Sequence, residues 1–368
     1  MRRKSVLILL LVVVLVSLQY PRFQQNIVDA SDGFPVHNLN TGLNYTTIQE
    51  AIDANETLDG HTLHIDPGTY PENISIYKSL SLVGFDRDTT IINGLNSGSV
   101  FKVTANSVKI TGFTITNGDH GITLYGASNS TITNNTISSN YWAGIYAYES
   151  NYNTIVGNVI ENSDREGIII LAADSNEIEN NSIVNNPYGI MVSNSFGNEV
   201  SGNDISNNEY INLELWYTWN STVSNNRISN SRSGIFQHGA ANDTIFENDI
   251  VNNRYYGIQI EEPGDGTRVF HNNFINSSAE ISYSCNATWD DGYPSGGNYW
   301  SDYNGTDSNH DGIGDTPYII DANNIDHYPL MAQYVIPEFS SFLVAPLFMI
   351  ATLLAIVIYK RRILTRAL

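Results

Sequence analysis

The sequence predicts an all-β protein folded as a parallel β-helix, a solenoid in which the short strands of successive coils stack on one another. Two observations predict this fold. A unit of 22 to 24 residues recurs in phase through the middle of the chain, and each unit holds short β-branched runs broken by Asn and Gly. A unit of this length cannot bury its own apolar face, but equivalent residues stacked about 4.8 Å apart form one continuous interior.

An asparagine marks each repeat. In segments such as STITNNTISSN and DTIFENDIVNN, an apolar residue is followed three positions later by Asn, and another apolar residue comes two positions beyond. Asparagine tolerates a left-handed backbone at a corner, and its amide can bond to the same amide in the next coil. We therefore expect a structural role for these asparagines. Phe113 takes this place in the first unit, followed by Asn135, Asn158, Asn181, Asn203, Asn226, Asn248 and Asn272.

A second marker, usually Gly-Ile, predicts a strand whose outer side could carry a site. The glycine is expected to form a corner and the isoleucine to point inwards, so the next side chain points outwards. Many outward side chains are then aromatic or apolar, which is unusual for an exposed sheet. The second-marker isoleucines are Ile122, Ile145, Ile168, Ile190, Ile211, Ile235, Ile258 and Ile281.

Two kinds of partner could cover this outer side. Aromatic rings one coil apart could stack on the sugar rings of a polysaccharide. Alternatively, the C-terminal segment or a neighbouring protomer could pack there, as in a structural envelope or adhesion protein. For the first hypothesis, the predicted carbohydrate-binding residues are Tyr125, Tyr146, Tyr148 and Phe236.

Three side chains on the same strands are candidates for catalysis. A glycoside hydrolase needs two carboxylates about 5 to 10 Å apart. Glu214 and Glu261 lie two predicted coils apart, or roughly 10 Å, and His238 lies between them. Because acidic residues are abundant in this chain, the sequence favours binding over turnover, with a hydrolase or polysaccharide lyase as the alternative.

The N-terminal stretch predicts a short helical cap. In YTTIQEAIDAN, Thr46 and Gln49 have capping-box spacing, and Ile48, Ala51 and Ile52 share one helical face. Such a helix would cover the open end of the solenoid, where strand edges are otherwise unpaired.

These segments resemble a known family. TTIQEAIDAN and GHTLHIDPGTYPENISI resemble the first coils of pectin-lyase-like right-handed β-helices, and the Asn-rich repeats resemble the NosD-like domain, which is grouped with carbohydrate-binding and sugar-hydrolase domains. The resemblance covers roughly Val36 to Asn286 and implies a right-handed, single-stranded solenoid. The NosD-like resemblance also suggests copper as a ligand, but copper sites need clustered His, Met or Cys. The eight histidines are scattered, so the sequence disfavours a copper-associated function.

After the last repeat, the composition changes and predicts an irregular C-terminal cap with a calcium-like loop. DSNHDGIGD offers oxygen ligands at alternate positions around a glycine turn, as in the first nine positions of an EF-hand loop, and it is similar to dockerin-type repeats. Tyr318 replaces the bidentate glutamate of the twelfth position. The expected ligands of a structural calcium ion are Asp307, Asn309, Asp311, the carbonyl of Ile313 and Asp315.

Both ends of the chain predict export and anchoring. A basic start precedes an apolar run at Val6 to Val16, and 21 mostly apolar residues at Phe339 to Tyr359 are followed by a basic cluster, which predicts a transmembrane helix with a cytoplasmic tail. The sequence IPEF before this span resembles an archaeal PEF-type sorting signal, which a sorting enzyme would process. The predicted organisation is signal peptide or anchor (1–30), N-terminal cap and first coils (31–105), repeats (106–286), C-terminal cap (287–334) and anchor or sorting segment (335–368).

Charge and sequons restrict the partners further. The net charge is −21, although seven of the 17 basic residues lie at the two ends, so the body of the chain repels nucleic-acid phosphates. Eleven N-x-Ser/Thr sequons fit a glycoprotein at the cell surface. The sequence therefore predicts a membrane-anchored surface protein that binds polysaccharide or envelope glycan.

Overall fold

The structure is a computed structural model that describes residues 33–262, 266–282 and 285–335. Three parallel sheets wind into a right-handed solenoid, and each coil contributes one strand to each sheet. A two-stranded antiparallel hairpin, β34 (Tyr318–Ile319) and β35 (Ile325–Asp326), follows the last coil. The predicted all-β solenoid is confirmed. The predicted transmembrane span, signal segment and IPEF motif lie outside the described residues, and no helix within those residues is long and apolar enough to span a bilayer.

The first sheet has twelve strands. They are β1 (Val36–Asn38), β2 (Asn44–Tyr45), β3 (Thr62–Ile65), β6 (Ser81–Gly84), β9 (Lys109–Thr111), β12 (Thr131–Thr133), β15 (Thr154–Val156), β18 (Glu177–Glu179), β21 (Glu199–Ser201), β24 (Thr222–Ser224), β27 (Thr244–Phe246) and β30 (Arg268–Phe270). β1 runs antiparallel to both β2 and β3, and all the later pairs are parallel.

The second sheet has eleven strands. They are β4 (Gly68–Tyr70), β7 (Thr90–Asn93), β10 (Thr114–Thr116), β13 (Thr136–Ser138), β16 (Val159–Glu161), β19 (Ser182–Val184), β22 (Asp204–Ser206), β25 (Arg227–Ser229), β28 (Asp249–Val251), β31 (Asn273–Ile275) and β33 (Tyr299–Trp300).

The third sheet has ten strands, and it contains the longest strands of the fold. They are β5 (Ile74–Ile76), β8 (Ser99–Val103), β11 (His120–Tyr125), β14 (Ala143–Tyr148), β17 (Glu166–Leu171), β20 (Tyr188–Phe196), β23 (Ile211–Trp219), β26 (Ser233–His238), β29 (Tyr256–Glu261) and β32 (Ala279–Ile281). The strands from β3 to β32 thus fall into ten coils.

The interior is a continuous column of aliphatic side chains with an asparagine ladder beside it. The middle residue of each short strand, such as Ile132, Ile155 or Ile178, is fully buried. Asn181 shows the ladder pattern, because its Nδ2 donates to Asn203 Oδ1 at 3.0 Å and to the Ile155 carbonyl at 2.8 Å. The predicted amide-to-amide bonding is confirmed. It runs through Asn135, Asn158, Asn181, Asn203, Asn226, Asn248, Asn272 and, beyond the predicted repeats, Asn298.

The expected left-handed backbone at these asparagines was wrong. Left-handed residues lie one position earlier, for example Asn134 before Asn135 and Asn180 before Asn181. The turn therefore divides two tasks between neighbours. One residue reverses the chain, and the next turns its amide into the interior, where each unpaired polar group would be costly.

The Gly-Ile glycines also differ from the expectation. Gly144 lies inside β14 without a positive φ, but a Cβ there would come within 2.7 Å of the Gly167 carbonyl oxygen and 2.5 Å of Ile160. Close approach between coils, and not a corner conformation, thus requires glycine.

The second marker slips in two coils. Leu213, not Ile211, pairs with Ile190, and Ala279, not Ile281, pairs with Ile258. In the first case the coil has the usual length, but Asn212 stands in place of the marker glycine. In the second case the turn is shorter, because Ala279 follows Ile258 by only 21 residues. Glu214 still points outwards, since it pairs with Met191.

One short helix, α1 (Ile48–Asp53), packs beside the first coils and buries Ile48, Ala51 and Ile52. Its N-cap is Thr47, one residue later than predicted. Thr47 Oγ1 accepts from the Glu50 amide at 3.1 Å, while Glu50 Oε2 accepts from the Thr46 amide at 3.0 Å. The predicted Thr46–Gln49 capping box is therefore wrong by one position.

Beyond the last coil, stacked aromatic rings extend the core. The Trp300 ring lies 4.2 Å from both Phe274 and Tyr318. Asp326 is buried, and its Oδ2 accepts from the Asn298 amide at 2.7 Å and from the Trp300 indole at 2.9 Å. The asparagine ladder therefore ends on a carboxylate, whose pKa burial raises to about 6.

Candidate functional site

The outward side chains of the third sheet form two parallel columns, which we call the third-sheet face. Strand pairing fixes both columns, because equivalent residues of successive coils are hydrogen-bonded neighbours. The first column is Thr123, Tyr146, Ile169, Met191, Glu214, Phe236, Gln259 and Glu280. The second is Tyr125, Tyr148, Leu171, Ser193, Trp216, His238 and Glu261.

Three of the four predicted carbohydrate-binding residues form one aromatic cluster towards the N-terminal end of this face. Tyr125 and Tyr148 have ring centroids 5.3 Å apart, and Tyr148 and Tyr146 are 6.3 Å apart. His120 stacks on Tyr146 at 5.2 Å. Tyr125 remains 53% exposed, so the cluster offers ring surface to solvent.

The fourth predicted residue, Phe236, belongs to a second aromatic cluster. Its ring lies 5.6 Å from Trp216, which in turn lies 4.5 Å from His238. Tyr217 contacts His238 edge-on at 5.5 Å. Sequence reasoning did not single out Trp216, although the two-residue slip keeps the alternation and directs Trp216 outwards together with Glu214.

His238 lies between two carboxylates. Its Nδ1 is 3.7 Å from Glu261 Oε2, and its Nε2 is 3.7 Å from Glu262 Oε2. Gln259 Nε2 donates to Glu261 Oε1 at 3.0 Å. The structure therefore brings together His238 and Glu261, two of the catalytic candidates, with Glu262 and Gln259 as neighbours that the sequence did not single out.

Glu214, the third candidate, lies in a different environment. Its side chain is 8% exposed, and desolvation raises its pKa to about 7. The negative charge of Glu166 adds to this rise, while a hydrogen bond from Trp216 and the positive charge of Arg165 oppose it. A carboxyl group of this kind can hold or release a proton near neutral pH.

The carboxylate that acts on Glu214 is therefore Glu166 rather than the expected Glu261. Glu166 is 6% exposed at the start of β17, and burial raises its pKa. Arg165 Nη2 lies 3.4 Å from Glu166 Oε1, but Glu166 Oε2 is buried without a hydrogen-bond partner among the described residues. Sequence adjacency of three charged residues, Asp164, Arg165 and Glu166, gave no signal that Glu166 would be buried.

In the calcium-like loop, the expected ligands bond to the loop itself. Asp307 accepts from the amides of Asp311 and Gly312 at 3.2 and 3.0 Å. Asp315 Oδ2 accepts from the Ser308 amide and hydroxyl at 2.9 and 2.7 Å. Gly312 has φ +88°, as a tight turn requires. These bonds organise the loop around the Gly312 turn.

A copper site would need soft or imidazole ligands in one place. The nearest histidine pair in the described part of the chain is His37 and His64, with ring centroids 6.3 Å apart. Both ring nitrogens of His37 are already within hydrogen-bond distance of a side chain, Asn44 at 2.9 Å and Asp66 at 3.0 Å. Among residues 33–262, 266–282 and 285–335, no three His, Cys, Asp or Glu side chains are arranged to hold a metal ion. The residues described here thus do not fit copper.

Comparison with known families assigns the chain to one of them. The model of the family described as periplasmic copper-binding protein (NosD) matches residues 54–214 and 200–305. These matches span more than half of the chain, which therefore belongs to this family.

Two curated proteins are similar over part of the chain. A cell surface glycoprotein of Methanothermus fervidus is 40% identical over 145 residues, covering 39% of this chain and 22% of the relative. A probable ABC transporter binding protein NosD of Stutzerimonas stutzeri is 36% identical over 62 residues, covering 17% of this chain and 14% of the relative. The matches thus span less than a quarter of either relative.

Solved structures give distant likenesses. The A-module of the Azotobacter vinelandii mannuronan C-5 epimerase AlgE6 has a TM-score of 0.47 and 15% identity, covering 66% of this chain and 94% of that one. The Agl-KA catalytic domain has a TM-score of 0.48 and 16% identity, covering 61% and 62%. Neither likeness bears on what this chain binds.

Proposed function

We propose that this protein binds polysaccharide or envelope glycan on the third-sheet face. The observation that supports this proposal is a pair of aromatic clusters on one side of one sheet, as the strand register shows. The clusters are Tyr125–Tyr146–Tyr148 and Trp216–Phe236–His238. They lie three coils apart, or about 14 Å. Rings at this spacing can stack on separate sugar units of one chain, with the polar groups between them bonding to hydroxyls.

The relatives support a surface location for this activity. The family description names the periplasm, and the Methanothermus relative is named a cell surface glycoprotein. We place this protein outside the cell on that ground. The apolar segment at Phe339 to Tyr359 would anchor it, directly or after processing at the IPEF sequence.

Hydrolysis of the bound glycan is a second candidate function. The supporting observation is Glu214, whose pKa of about 7 suits a proton donor, next to Glu166, which Arg165 helps to keep ionised. In this scheme, Glu214 would protonate the leaving oxygen and Glu166 would serve as base or nucleophile. Release of reducing ends, lost in Glu214→Gln while binding persists, would support this function.

We also propose that the loop at Asp307 to Asp315 binds a structural calcium ion. Its oxygen groups have EF-hand spacing over nine positions, and weak extracellular sites bind calcium at roughly 0.1 to 1 mM. A calcium ion there would stabilise the segment that covers Phe274 and Trp300.

A glycan array with the full-length protein tests the main proposal. On the sugar class that binds, Trp216→Ala and Tyr146→Ala should each weaken affinity about tenfold or more, since one ring contributes on the order of 1 kcal/mol beyond its buried area. Phe246→Ala is the matched control, because Phe246 stacks on Phe270 at 5.5 Å outside the first sheet. If no glycan on the array binds, and the protein self-associates in a way that Trp216→Ala abolishes, a structural envelope protein is favoured instead.

A further inference from the structure

Two corners flank the first-sheet strand of each coil, and each corner has one left-handed residue. In the coil of β12, Asn129 with φ +58° precedes the strand and Asn134 with φ +53° follows it. After Asn129, Ser130 is buried beside the core, and Thr131 begins β12 with its side chain on the outer side. Each corner therefore presents an exposed residue, a buried residue and an outward residue in succession.

The fold explains an asparagine at such a corner but not a hydroxyl two residues later. Asparagine tolerates a left-handed backbone, whereas the outward residue that begins a strand can be of many types. In the eight coils from β9 to β30, these two corners hold six left-handed asparagines, and five of them are followed two residues later by Thr or Ser. The five are Asn129, Asn220 and Asn242 before first-sheet strands and Asn134 and Asn180 after them.

The remaining corners show that the strand alone does not account for the hydroxyl. The ten other left-handed residues at the same two corners are Gly, Ser, Tyr, Glu or His, and only two of these ten are followed by a hydroxyl, that of Thr114 or Thr154. The preference of threonine for strands would act equally on all of these positions. The hydroxyl therefore accompanies the asparagine and not the strand.

The corner that leads into the third sheet has the opposite pattern. Seven of its eight left-handed residues are asparagine, but only Asn276 is followed two residues later by a hydroxyl, and the others are followed by Asp, Glu, Arg or Pro. Left-handed asparagine is thus common to all three corners. The sequence Asn-x-Ser/Thr is concentrated at the two corners beside the first sheet.

The side-chain amides also differ between these places. All five asparagines are exposed, and in the described part of the chain none of their side chains forms a hydrogen bond. Two sequons lie next to the third sheet, and their amides are held against a neighbouring coil. Asn276 Nδ2 donates to Asn252 Oδ1 at 2.9 Å, and Asn73 Nδ2 donates to the carbonyl oxygens of Ser97 and Ser99. A bulky group on the amide would disturb these contacts but would leave the five corners unchanged.

We propose that Asn129, Asn134, Asn180 and one of the pair Asn220 and Asn242 carry N-linked glycans, in two rows that flank the first sheet. Asn-x-Ser/Thr is the acceptor sequence for this modification in exported proteins, so the proposal rests on the surface location proposed above. Asn220 and Asn242 lie in neighbouring coils, about 4.8 Å apart, which leaves room for one bulky glycan. No sequon begins on a described strand of the third sheet, so the third-sheet face stays uncovered.

Glycopeptide mass spectrometry of the full-length protein, purified from the envelope of its own cells, tests this proposal. Fragmentation that keeps the sugar attached should assign glycans to Asn129, Asn134 and Asn180, whereas Asn73 and Asn276 should be unmodified. Equal modification of Asn73 and Asn276, or envelope protein without glycans at the corners, would overturn the proposal and leave the surface location standing. Unmodified protein found in the cytoplasm alone would overturn both.

Two substitutions of outward strand residues form a matched pair. Thr136→Ala removes the hydroxyl of the Asn134 sequon and should abolish that one glycan, whereas Thr136→Ser should keep it. Arg227→Thr supplies the hydroxyl that Asn225, the sixth left-handed asparagine, lacks, and should add one glycan there. Both positions lie on the outer side of a strand, so circular dichroism should show an unchanged fold. A folded Arg227→Thr variant without a glycan at Asn225 would contradict the proposal.

Discussion

The first and third sheets share one interior but differ in what they present outside. Outside the first sheet, short strands present mainly small or charged side chains such as Thr131, Thr154 and Glu177. Outside the third sheet, six- to nine-residue strands present tyrosines, Trp216, Phe236 and two buried glutamates. Because the core is equivalent behind both, folding alone does not require the aromatic exterior. The difference therefore points to a partner for the third-sheet face.

The largest expected effect lies in the shared interior. Asn181→Ala would leave the Ile155 carbonyl and the Asn158 amide groups without their partners. We expect a loss of about 3 kcal/mol or more in the free energy of unfolding, because each buried unpaired group costs about 1 to 3 kcal/mol. Urea unfolding followed by circular dichroism measures this loss.

Thr154→Ala, outside the first sheet, is the control for the ladder substitution. It should change the free energy of unfolding by less than about 0.5 kcal/mol, as surface substitutions usually do. Equal effects of the two substitutions would mean that the ladder is not what holds the coils together.

A glycan long enough to contact both aromatic clusters should gain affinity from both of them. Tyr148→Ala combined with Trp216→Ala should reduce the affinity of a long oligosaccharide about 100-fold, since each ring removes about tenfold and distant sites add in free energy. A short oligosaccharide should lose only the contribution of one cluster. Titration calorimetry with a length series measures this, and a loss independent of length would contradict a continuous platform.

Stability against pH should distinguish the buried glutamate of the third sheet from the exposed ones of the first. Since the folded protein raises the pKa of Glu214 from about 4.5 to about 7, its stabilising contribution is full below pH 4.5 and is lost as pH rises through 7. Relative to Glu214→Gln, the wild type should thus lose on the order of 1 to 3 kcal/mol between pH 4.5 and pH 8. Urea unfolding across this range measures it.

The groups that face Glu214 set the control for this pH experiment. Glu166, Arg165, Tyr188 and Trp216 surround its carboxyl group, so Glu166→Gln should reduce the effect and make it occur at lower pH. An unchanged difference curve in Glu166→Gln would show that the two carboxylates do not interact.

The smallest expected effect concerns the calcium-like loop. Removing calcium with a chelator should lower the melting temperature by a few degrees if the site binds near 1 mM and calcium is present at several millimolar. Asp307→Asn should abolish that difference, whereas glycan affinity should stay the same. If the melting temperature does not change when calcium is removed, the proposed calcium ion in this loop is contradicted.

The repeat made the core predictable, and its irregularities hid the site. Inward isoleucines and ladder asparagines recur with the coil, so sequence alone placed them, and Tyr125, Tyr146, Tyr148 and Phe236 followed from strand alternation. Glu166 and Trp216 were not predicted from the sequence, for two different physical reasons. Glu166 is the first residue of β17, where the alternation of the strand has only begun and does not yet fix the direction of a side chain. Trp216 lies on a strand where Asn212 replaces the marker glycine, so no Gly-Ile pair drew attention to the outward residues that follow.

The most direct test of the proposed glycan binding by the third-sheet face is a hydroxyl-radical footprint of the full-length protein with and without the glycan that the array identifies. Binding should protect Tyr148, Met191 and Trp216 on the third-sheet face and leave Phe246 and Phe270 outside the first sheet equally oxidised. Protection outside the first sheet, or none on the third-sheet face while the glycan is bound, would contradict the account.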